Sequence, residues 1–414
     1  MAASMSFNDI FERYRPDLSQ YEDLYKRFHQ NAEISTLEAE TSSIIEEHLR
    51  KLSDGALDIR TKIGGYGLIG ICENGSGPTV LIRADMDAMA VEEKTGLPYA
   101  SKKTQKDNTD ATETLLAARD SWAGTLIALF QPAEERGSGA ESMVDDGLFN
   151  SQRHACPIPD ICMAQHVYPI LAGRVLTKSG PFFSAADSYR ITIYGRGGHG
   201  SMPHKCIDPV VVASHIIIRL QTIVSREVPP NETVVITVGS VQSGNTVNVI
   251  GDEAILQVNV RTVSQKWRET VLSSIKRVVD AECQASRCPK PAKYERLNEY
   301  PLTENDSEGI RRIRESFDHY FGDSHQAVDQ AFLASEDFSR LATAVNKPYI
   351  YWVFGGVAED EWQEREKDGT LDELPVNHSP YFKPAIQPTL QTGMDALVVG
   401  AMTWLGKDIQ QEKV

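Results

Sequence analysis

Carboxylate and imidazole side chains occur in this sequence where predicted strands end or loops begin. Four positions share this property: Asp87, the pair Glu134-Glu135, His166 and His378. Functional groups in open α/β sheets collect beyond the carboxyl ends of the strands, so a sheet would bring such residues together. Carboxylate oxygen and imidazole nitrogen are the ligand types expected for Zn²⁺, Mn²⁺ or Co²⁺. The pattern therefore predicts a divalent-metal site.

The two neighbouring carboxylates of Glu134 and Glu135 could divide the work of hydrolysis between them. One can bind the metal while the other takes a proton from metal-bound water. An acidic pair is also common on solvated surfaces, and His166 or His378 alone could be a structural histidine. The hypothesis depends on these residues converging in the fold.

Three further candidates lie in the middle of the chain. His199, within a glycine-rich segment, could donate a hydrogen bond to a developing oxyanion, or the segment could be an ordinary glycine turn. Asn248 and Arg261 could bind a substrate carbonyl and a substrate carboxylate. Arg261 could equally form a surface ion pair with Asp252 or Glu253.

The elements that would position the first set alternate between strands and helices, which indicates an α/β fold with a mixed sheet. Ser35 and Glu38 form a capping-box signature ahead of a helix. Two strands, at 67–73 and 78–86, are predicted to form a hairpin. Further apolar runs predict three buried strands, at 124–130, 160–164 and 348–354.

Residues 187–297 follow a β-α-β-β-α-β order, which is the ferredoxin-like arrangement. Asp208-Pro209 predicts a helix that begins with an acidic cap followed by proline. The chain ends of such a unit can lie close together, so we interpret it as an inserted domain, the lid. The catalytic domain is then predicted in two parts, residues 15–186 and 298–410.

Composition excludes several classes of function. The 414 residues include 42 Lys+Arg and 58 Asp+Glu, a formal net charge of −16, which disfavours nucleic acid and anionic membranes as partners. The longest apolar runs are too short or too interrupted to cross a membrane, and the amino terminus lacks the apolar core of a secretory signal. Six scattered cysteines without a CxxC pair indicate reduced thiols and a cytoplasmic location.

Nine short segments carry the most specific signal in the sequence: RADMDAMAVEEKTGLPYAS (83–101), FQPAEERGSGAESMVDDG (130–147), QHV (165–167), GRGGHGSMPH (195–204), DPVVVAS (208–214), NVI (248–250), SEDF (335–338), FGG (354–356) and NHSP (377–380). Together they resemble the metal-dependent amidohydrolases of the aminoacylase–carboxypeptidase group, the M20 peptidases. Hippurate hydrolase, N-acyl-amino-acid amidohydrolase and auxin-conjugate hydrolases belong to this group.

The resemblance implies a zinc-exopeptidase-like α/β catalytic domain with an inserted ferredoxin-like lid, often used for dimerisation. It also implies a role for each matching residue: Glu134 as general base, Glu135, His166 and His378 as metal ligands, Asp87 as the acid that supports the metal site, His199 as the lid residue that stabilises the transition state, and Asn248, Arg261 and Gly355 as substrate-binding residues. The implied reaction is hydrolysis of N-acyl amino acids or related small amides. A divalent metal (Zn, Mn or Co) is the expected cofactor, metal-bound water the nucleophile and a homodimer through the lid the expected assembly.

One segment departs from the family pattern. The family carries His-Ala-Cys-Gly-His-Asp-x-His after the Tyr-Ala-Ser motif at 99–101, and its Cys and second His bind metal. This chain has no Cys or His between Ala100 and Ser151. We therefore expect at most one weakly held metal ion, slow hydrolysis, and a shortened helix that leaves Val80, Ile82 or the strand at 125–130 uncovered.

A block loss of this kind is typical of a missed exon or a splice variant. The alternative function is therefore a catalytically impaired homologue or mis-spliced form. Such a chain would bind acyl amino acids or pair with an active subunit.

Overall fold

The computed structural model describes residues 5–101 and 110–407, which form two compact units. The catalytic unit contains Met1–Gly180, Glu304–Gln330 and Asp337–Val414, and the lid unit contains Pro181–Thr303 and Ala331–Glu336. The segment 187–297, predicted as the inserted lid, falls inside the lid unit. Its limits as a domain stay a prediction.

Within the described residues the helices are α1 (Phe7–Tyr14), α2 (Ser19–Gln30), α3 (Ala39–Ser53), α4 (Asp110–Ala117), α5 (Gly139–Asp145), α6 (Pro209–Thr222), α7 (Gln265–Ala285), α8 (Ser307–Phe321), α9 (Ser339–Thr343), α10 (Glu359–Asp368) and α11 (Thr389–Leu405). The strands are β1 (Asp58–Ile63), β2 (Gly67–Asn74), β3 (Thr79–Asp85), β4 (Gly124–Gln131), β5 (Ile161–Leu171), β6 (Val175–Thr177), β7 (Gly180–Phe183), β8 (Ala185–Tyr194), β9 (Gly198–His199), β10 (Val234–Ser243), β11 (Val249–Ile250), β12 (Glu253–Thr262), β13 (Lys293–Tyr300), β14 (Thr303–Asn305), β15 (His325–Ala327) and β16 (Tyr349–Val357). No described helix combines the length and hydropathy needed to cross a membrane.

The catalytic unit is built on an eight-stranded sheet in the order β1-β2-β4-β3-β5-β16-β6-β15. Strand β3 runs parallel to both β4 and β5, and β5 runs parallel to β16. Strand β2 is antiparallel to β1 and to β4. The predicted α/β class with a mixed sheet is confirmed.

The predicted hairpin between β2 and β3 is wrong, because β4 lies between these two strands. Strand β2 instead forms its hairpin with β1, across Gly64 and Gly65, whose φ angles are +61° and +110°. Positive φ at both positions favours glycine, which is the turn chemistry of a tight hairpin. Strand β3 is buried along most of its length and takes parallel neighbours on both sides, as expected for a central strand.

The sheet face over β3 is covered, so the expected exposure of Val80 or Ile82 is wrong. Val80 is fully buried and Ile82 is 5% exposed. Both belong to one hydrophobic cluster with Leu115 of α4, Trp122 after it, and apolar side chains of α11. Helices α1, α3 and α8 contribute to the same cluster. Residues 126–130 of β4 are buried as well, so no part of the surface expected to be open is exposed.

Helix α3 presents the predicted apolar face, on which Ile44, Ile45 and Leu49 are buried. The predicted capping box is wrong, since the helix begins at Ala39, after the Ser35–Glu38 segment. The side chains of Ser35 and Glu38 form hydrogen bonds with Asp87 and Ala133 instead, as described below.

The lid unit contains a four-stranded antiparallel sheet in the order β10-β12-β8-β13, so the ferredoxin-like prediction is confirmed. Asp208 caps α6 by accepting a hydrogen bond from Val210 N at 2.9 Å, as predicted. Helices α6 and α7 contribute to a single hydrophobic cluster with the inner face of the sheet. This unit therefore has a core of its own.

Candidate active site

Three parallel strands bring the first set of predicted residues to one edge of the sheet. Asp85 at the end of β3 is paired with Gln131 at the end of β4, and Arg83 is paired with Ala164 of β5. Strands β3 and β4 end at these positions, whereas β5 continues to Leu171 beside β16, so the predicted strand end before His166 is wrong and His166 lies within β5. The parallel pairing of the three strands is the physical reason why residues far apart in the sequence converge here.

Asp87 organises the backbone of the glutamate pair. Its Oδ1 accepts a hydrogen bond from Glu134 N at 2.8 Å, and its Oδ2 accepts one from Glu135 N at 3.1 Å. Ser35 Oγ donates to the same Oδ2 at 2.6 Å. Asp87 is buried, and this burial, reinforced by the charge of Asp85, raises the pKa of its carboxyl group.

A tight turn presents the glutamates. Ala133 has a φ of +51°, in the left-handed region, and a single 3₁₀ turn follows at Glu134–Arg136. Glu134 is 7% exposed, so the reading of this residue as part of a solvated surface pair is wrong. A buried carboxylate next to a second carboxylate is the arrangement expected for a general base beside a metal ligand.

The two predicted histidine ligands line one cavity together with Glu135. His166 Nδ1 is 2.7 Å from the carbonyl oxygen of Val167. Because a carbonyl oxygen accepts only, Nδ1 carries the proton and Nε2 carries the lone pair that can bind a metal. His378 Nε2 lies 3.5 Å from Glu135 Oε2. The backbone of His378 is in the left-handed region, with a φ of +69°.

A cavity of about 310 Å³ opens onto these side chains. Four predicted site residues line it together: Asp87, Glu135, His166 and His378. Apolar side chains line other parts of the cavity: Met89, Val91, Phe354, Phe382 and Leu390. A concave, largely apolar site with a few convergent polar groups is typical of small-molecule pockets.

By residue type the three predicted ligands suit one divalent ion, although they are not the residues whose ligand atoms lie within 4.8 Å of one another among the described residues. Two imidazoles and one carboxylate, with a fourth position left for water or substrate, is a known ligand set of catalytic zinc. Glu135, His166 and His378 offer this set from three different segments. Residues 102–109, where the predicted loss of the Cys/His block falls, lie outside the described residues, and helix α4 begins at Asp110.

A buried polar network behind the site was missed at the sequence level. Arg83 Nε donates to Gln131 Oε1 at 3.0 Å, and Gln131 Nε2 donates to Asp337 Oδ1 at 2.6 Å. Asp337 Oδ2 also accepts from Ala140 N at 3.0 Å. The signal was present in the sequence, since an arginine within an apolar central strand must find a buried anionic partner.

Two lid candidates, His199 and Asn248, are neighbours in the lid unit. Strand β9 pairs with β11 so that His199 lies opposite Val249, and Gly200 N donates to Asn248 O at 2.8 Å. Both candidate side chains are exposed, and His199 Nδ1 lies 2.8 Å from Ser201 Oγ. The glycine-rich segment therefore forms a turn that presents His199 to solvent.

Arg261 does not form the surface ion pair that was considered for it. Its Nη1 donates to the carbonyl oxygen of Leu333 and to Ser335 Oγ at 3.2 Å. Its neighbour in the sheet is Ala186, while Asp252 accepts a hydrogen bond from Gly197 N. Its substrate-binding role stays a prediction.

Gly355, the remaining predicted substrate-binding residue, is packed against the backbone of β5. A Cβ at this position would lie 1.8 Å from Leu171 O, so only glycine fits. Its N–H donates to Arg174 O at 2.9 Å, and its carbonyl accepts from Thr389 Oγ1 at 3.0 Å. These contacts give the glycine a packing role, and contact with substrate stays a prediction.

Comparison with known proteins places this geometry in a family. Residues 184–287 match the peptidase dimerisation domain. The chain is 32% identical to hippurate hydrolase of Campylobacter jejuni over 77% of this chain and 84% of that protein. It is 32% identical to N-acetyl-L-cysteine deacetylase of Bacillus subtilis over 86% of this chain and 85% of that protein.

A solved structure supports the same fold assignment. A dinuclear metal-binding peptidase of the M20 family from Bacillus subtilis superposes with a TM-score of 0.70 at 23% identity, over 93% of this chain and 98% of that one. Hippurate hydrolase and N-acetyl-L-cysteine deacetylase establish the family of this chain, because the chain covers more than two thirds of each at over 30% identity. The chain therefore belongs to the M20 family of metal-dependent amidohydrolases and peptidases.

Proposed function

We propose that this protein hydrolyses the amide bond of N-acyl amino acids. The observation that carries the proposal is the arrangement around Asp87, which holds the backbone N–H groups of Glu134 and Glu135 at 2.8 and 3.1 Å. The neighbouring cavity is lined by Glu135, His166 and His378. The buried Glu134 thus directly precedes Glu135, one of three possible ligands that line the same cavity.

In this mechanism Glu135, His166 and His378 would hold a divalent ion, Zn, Mn or Co. When bound, such an ion lowers the pKa of water and polarises a carbonyl group. Glu134 takes the proton from the attacking water and returns it to the leaving nitrogen. Asp87 fixes the position of Glu134 through the backbone, so the base is preorganised.

Further roles are proposed for the remaining candidates. His199 would donate a hydrogen bond to the oxyanion, Asn248 would bind the substrate carbonyl and Arg261 its carboxylate. The backbone at Gly355 would contact the substrate. The exposed position of His199 and its neighbour Asn248 supports a role in contacts outside the lid core.

The names of the relatives support this substrate class. One is named for the hydrolysis of hippurate, which is N-benzoylglycine, and another for the deacetylation of N-acetyl-L-cysteine. Both are hydrolases of an acyl group attached to an amino acid. The alternative, a binding protein without catalysis, is not favoured by these relatives.

The test is release of free amino acid from N-benzoylglycine and from N-acetyl-L-cysteine, with Zn²⁺, Mn²⁺ or Co²⁺ added. Glu134→Gln keeps the shape of the base and removes its proton acceptor, so we expect kcat to fall by at least about 100-fold. Glu141→Gln, on the exposed side of α5, is the matched control and should leave kcat unchanged. Equal rates for the wild type and Glu134→Gln would overturn the assignment of the base.

We also propose that the lid unit forms a homodimer. Strand β10 is an edge strand of the lid sheet, and the outer face of α6 exposes Val210, Val211 and Ile218, the last at 70%. Edge strands and clustered exposed apolar residues are typical of association surfaces. Ile218→Glu should shift the mass measured by light scattering toward the monomer, whereas Thr270→Glu, at an exposed position on α7, should have a smaller effect.

A cytoplasmic location remains our proposal. The six cysteines are all free, and four of them are buried. Free thiols in this number support a reducing compartment.

A further inference from the structure

The segment from Ser35 to Glu38 reaches the turn that carries the two catalytic-site glutamates. It looks like a helix cap in the sequence, but neither polar side chain caps α3. Ser35 Oγ donates to Asp87 Oδ2 at 2.6 Å. Glu38 accepts a hydrogen bond from Ala133 N at 2.9 Å through Oε1. Both ends of the segment therefore contact groups that hold Glu134 and Glu135.

Glu38 is fully buried and is held by two backbone groups. Its Oε1 accepts from Thr36 N at 2.8 Å as well as from Ala133 N. Both donors belong to residues in the left-handed region, with φ of +71° and +51°. Non-glycine residues adopt this region infrequently, so such conformations persist where surrounding contacts fix them.

The other carboxylate oxygen of Glu38, Oε2, is also buried. Among the described residues no hydrogen-bond partner reaches it. Burial raises the pKa of this carboxyl group. A buried oxygen without a partner is costly for stability, so the hydrogen bonds that Oε1 accepts must offset that cost.

Two buried carboxylates accept hydrogen bonds from three successive backbone N–H groups of the turn. Ala133 N donates to Glu38, and Glu134 N and Glu135 N donate to Asp87. We propose that Glu38 is a positioning residue, which fixes the left-handed conformation at Ala133 and so aims Glu134 at the substrate and Glu135 at the metal. The catalytic part of this proposal rests on the proposed amide hydrolysis.

Two physical accounts of Glu38 make opposite predictions. In the first account Glu38 acts through the hydrogen bond that Oε1 accepts from Ala133 N. Glu38→Gln then keeps this acceptor, and Glu38→Asp, whose side chain is one methylene shorter, loses it. If the negative charge acts on Asp87, Glu38→Asp keeps the effect and Glu38→Gln loses it. Both hydrogen bonds to the Glu38 side chain end on Oε1, and the side-chain amide of Gln provides an equivalent oxygen. They therefore favour the first account.

The experiment compares Glu38→Gln, Glu38→Asp and Glu38→Ala with the wild type. Glu47→Gln, an exposed position on α3, is the control. Three quantities are measured: kcat and KM for N-benzoylglycine, Zn²⁺ affinity by calorimetry, and amide hydrogen exchange of the peptide covering residues 131–137. Thermal melting of each variant reports whether the chain is still folded.

We expect Glu38→Ala and Glu38→Asp to lower kcat by about 100-fold with little change in KM, the scale of loss expected for a misplaced catalytic group. Both should weaken Zn²⁺ binding by at least tenfold and speed exchange at 131–137. Glu38→Gln should stay within about tenfold of the wild type in kcat and keep the slow exchange.

Unchanged exchange and unchanged Zn²⁺ affinity in folded Glu38→Ala would overturn the proposal, as would a larger loss in Glu38→Gln than in Glu38→Asp. If the wild type does not hydrolyse the substrate, the proposed function fails. The exchange and calorimetry then still decide the role of Glu38. If Glu38→Ala does not fold, the comparison of Glu38→Gln with Glu38→Asp decides it.

Discussion

Removing one imidazole tests whether Glu135, His166 and His378 bind a single ion together. A ligand that binds the folded chain stabilises it by RT ln(1 + [L]/Kd), which is about 2.7 kcal/mol at 100 times Kd. Loss of a group that only supports a metal ligand already costs 10- to 100-fold in affinity. We therefore expect His378→Ala, which removes one of three ligands, to weaken Zn²⁺ binding by at least about 100-fold.

At the same zinc concentration the stabilisation of His378→Ala is then at most about 0.4 kcal/mol. One kcal/mol shifts Tm by roughly 2 °C in a unit larger than 250 residues, so the wild type should gain about 5 °C and the variant about 1 °C or less. Differential scanning calorimetry with and without Zn²⁺ measures both shifts.

The control is His215→Ala, which removes an exposed histidine on α6 of the lid unit and should keep the full shift. Metal content after dialysis, measured by mass spectrometry, should be one ion per wild-type chain or less. Equal thermal shifts in His378→Ala and the wild type, or two tightly bound ions in the wild type, would refute the three-ligand site.

Three further predictions concern stability and the departure from the family pattern. Asp187 accepts two hydrogen bonds from the buried Arg268, at 2.8 and 2.9 Å, so Asp187→Ala should lower the free energy of unfolding in urea by about 3–5 kcal/mol; a loss below 1 kcal/mol would contradict this. The pKa of Asp146 is lowered to about 2, mainly by the N–H of Gly64. A depressed folded pKa stabilises the protein above the unfolded value of about 3.9, and this contribution is lost as the pH falls to about 2. Asp146→Asn should therefore destabilise the chain at pH 6 and have a progressively smaller effect between pH 4 and pH 2, measured by urea denaturation; an effect that does not change with pH would refute it. Inserting His-Ala-Cys-Gly-His-Asp after Asp110 should raise the metal content from one ion to two and increase kcat, and an unchanged metal content would show that the family segment cannot bind metal here.

The periodic features of the sequence were sufficient for the architecture of each unit. Alternating apolar residues predicted β8, β10 and β12, and the Asp208-Pro209 pair predicted the start of α6. Such signals are local, because side-chain alternation and helix capping depend on neighbours a few residues away. The order of the strands in the sheet, in contrast, does not depend on local signals. The short turn between β2 and β3 suggested a hairpin, but β4 lies between them, and no local signal reports a strand that arrives 50 residues later.

In the candidate site, too, local sequence predicted some features and the fold determined others. Residue types and positions at strand ends were sufficient to propose Asp87, Glu134 and Glu135, because β3 and β4 end at a common edge. His166 was proposed by the same argument, but β5 continues past it to Leu171. What each side chain does there depended on the fold. The hydrogen bonds from the backbone of both glutamates to Asp87, and the buried position of Glu134, follow from the turn at Ala133.

Sequence alone determined that this is an α/β protein with an inserted ferredoxin-like unit and a set of carboxylate and imidazole residues suited to a divalent metal. Only the tertiary structure decided what Ser35 and Glu38 contact. Their spacing matches a capping box, whose energy comes from local hydrogen bonds to a helix terminus. In the fold the same two groups bond Asp87 and Ala133, residues 52 and 95 positions away. Hydrogen-bonding groups do not encode their partner, and in a buried site the partner is whichever donor or acceptor the packing of distant segments leaves within reach.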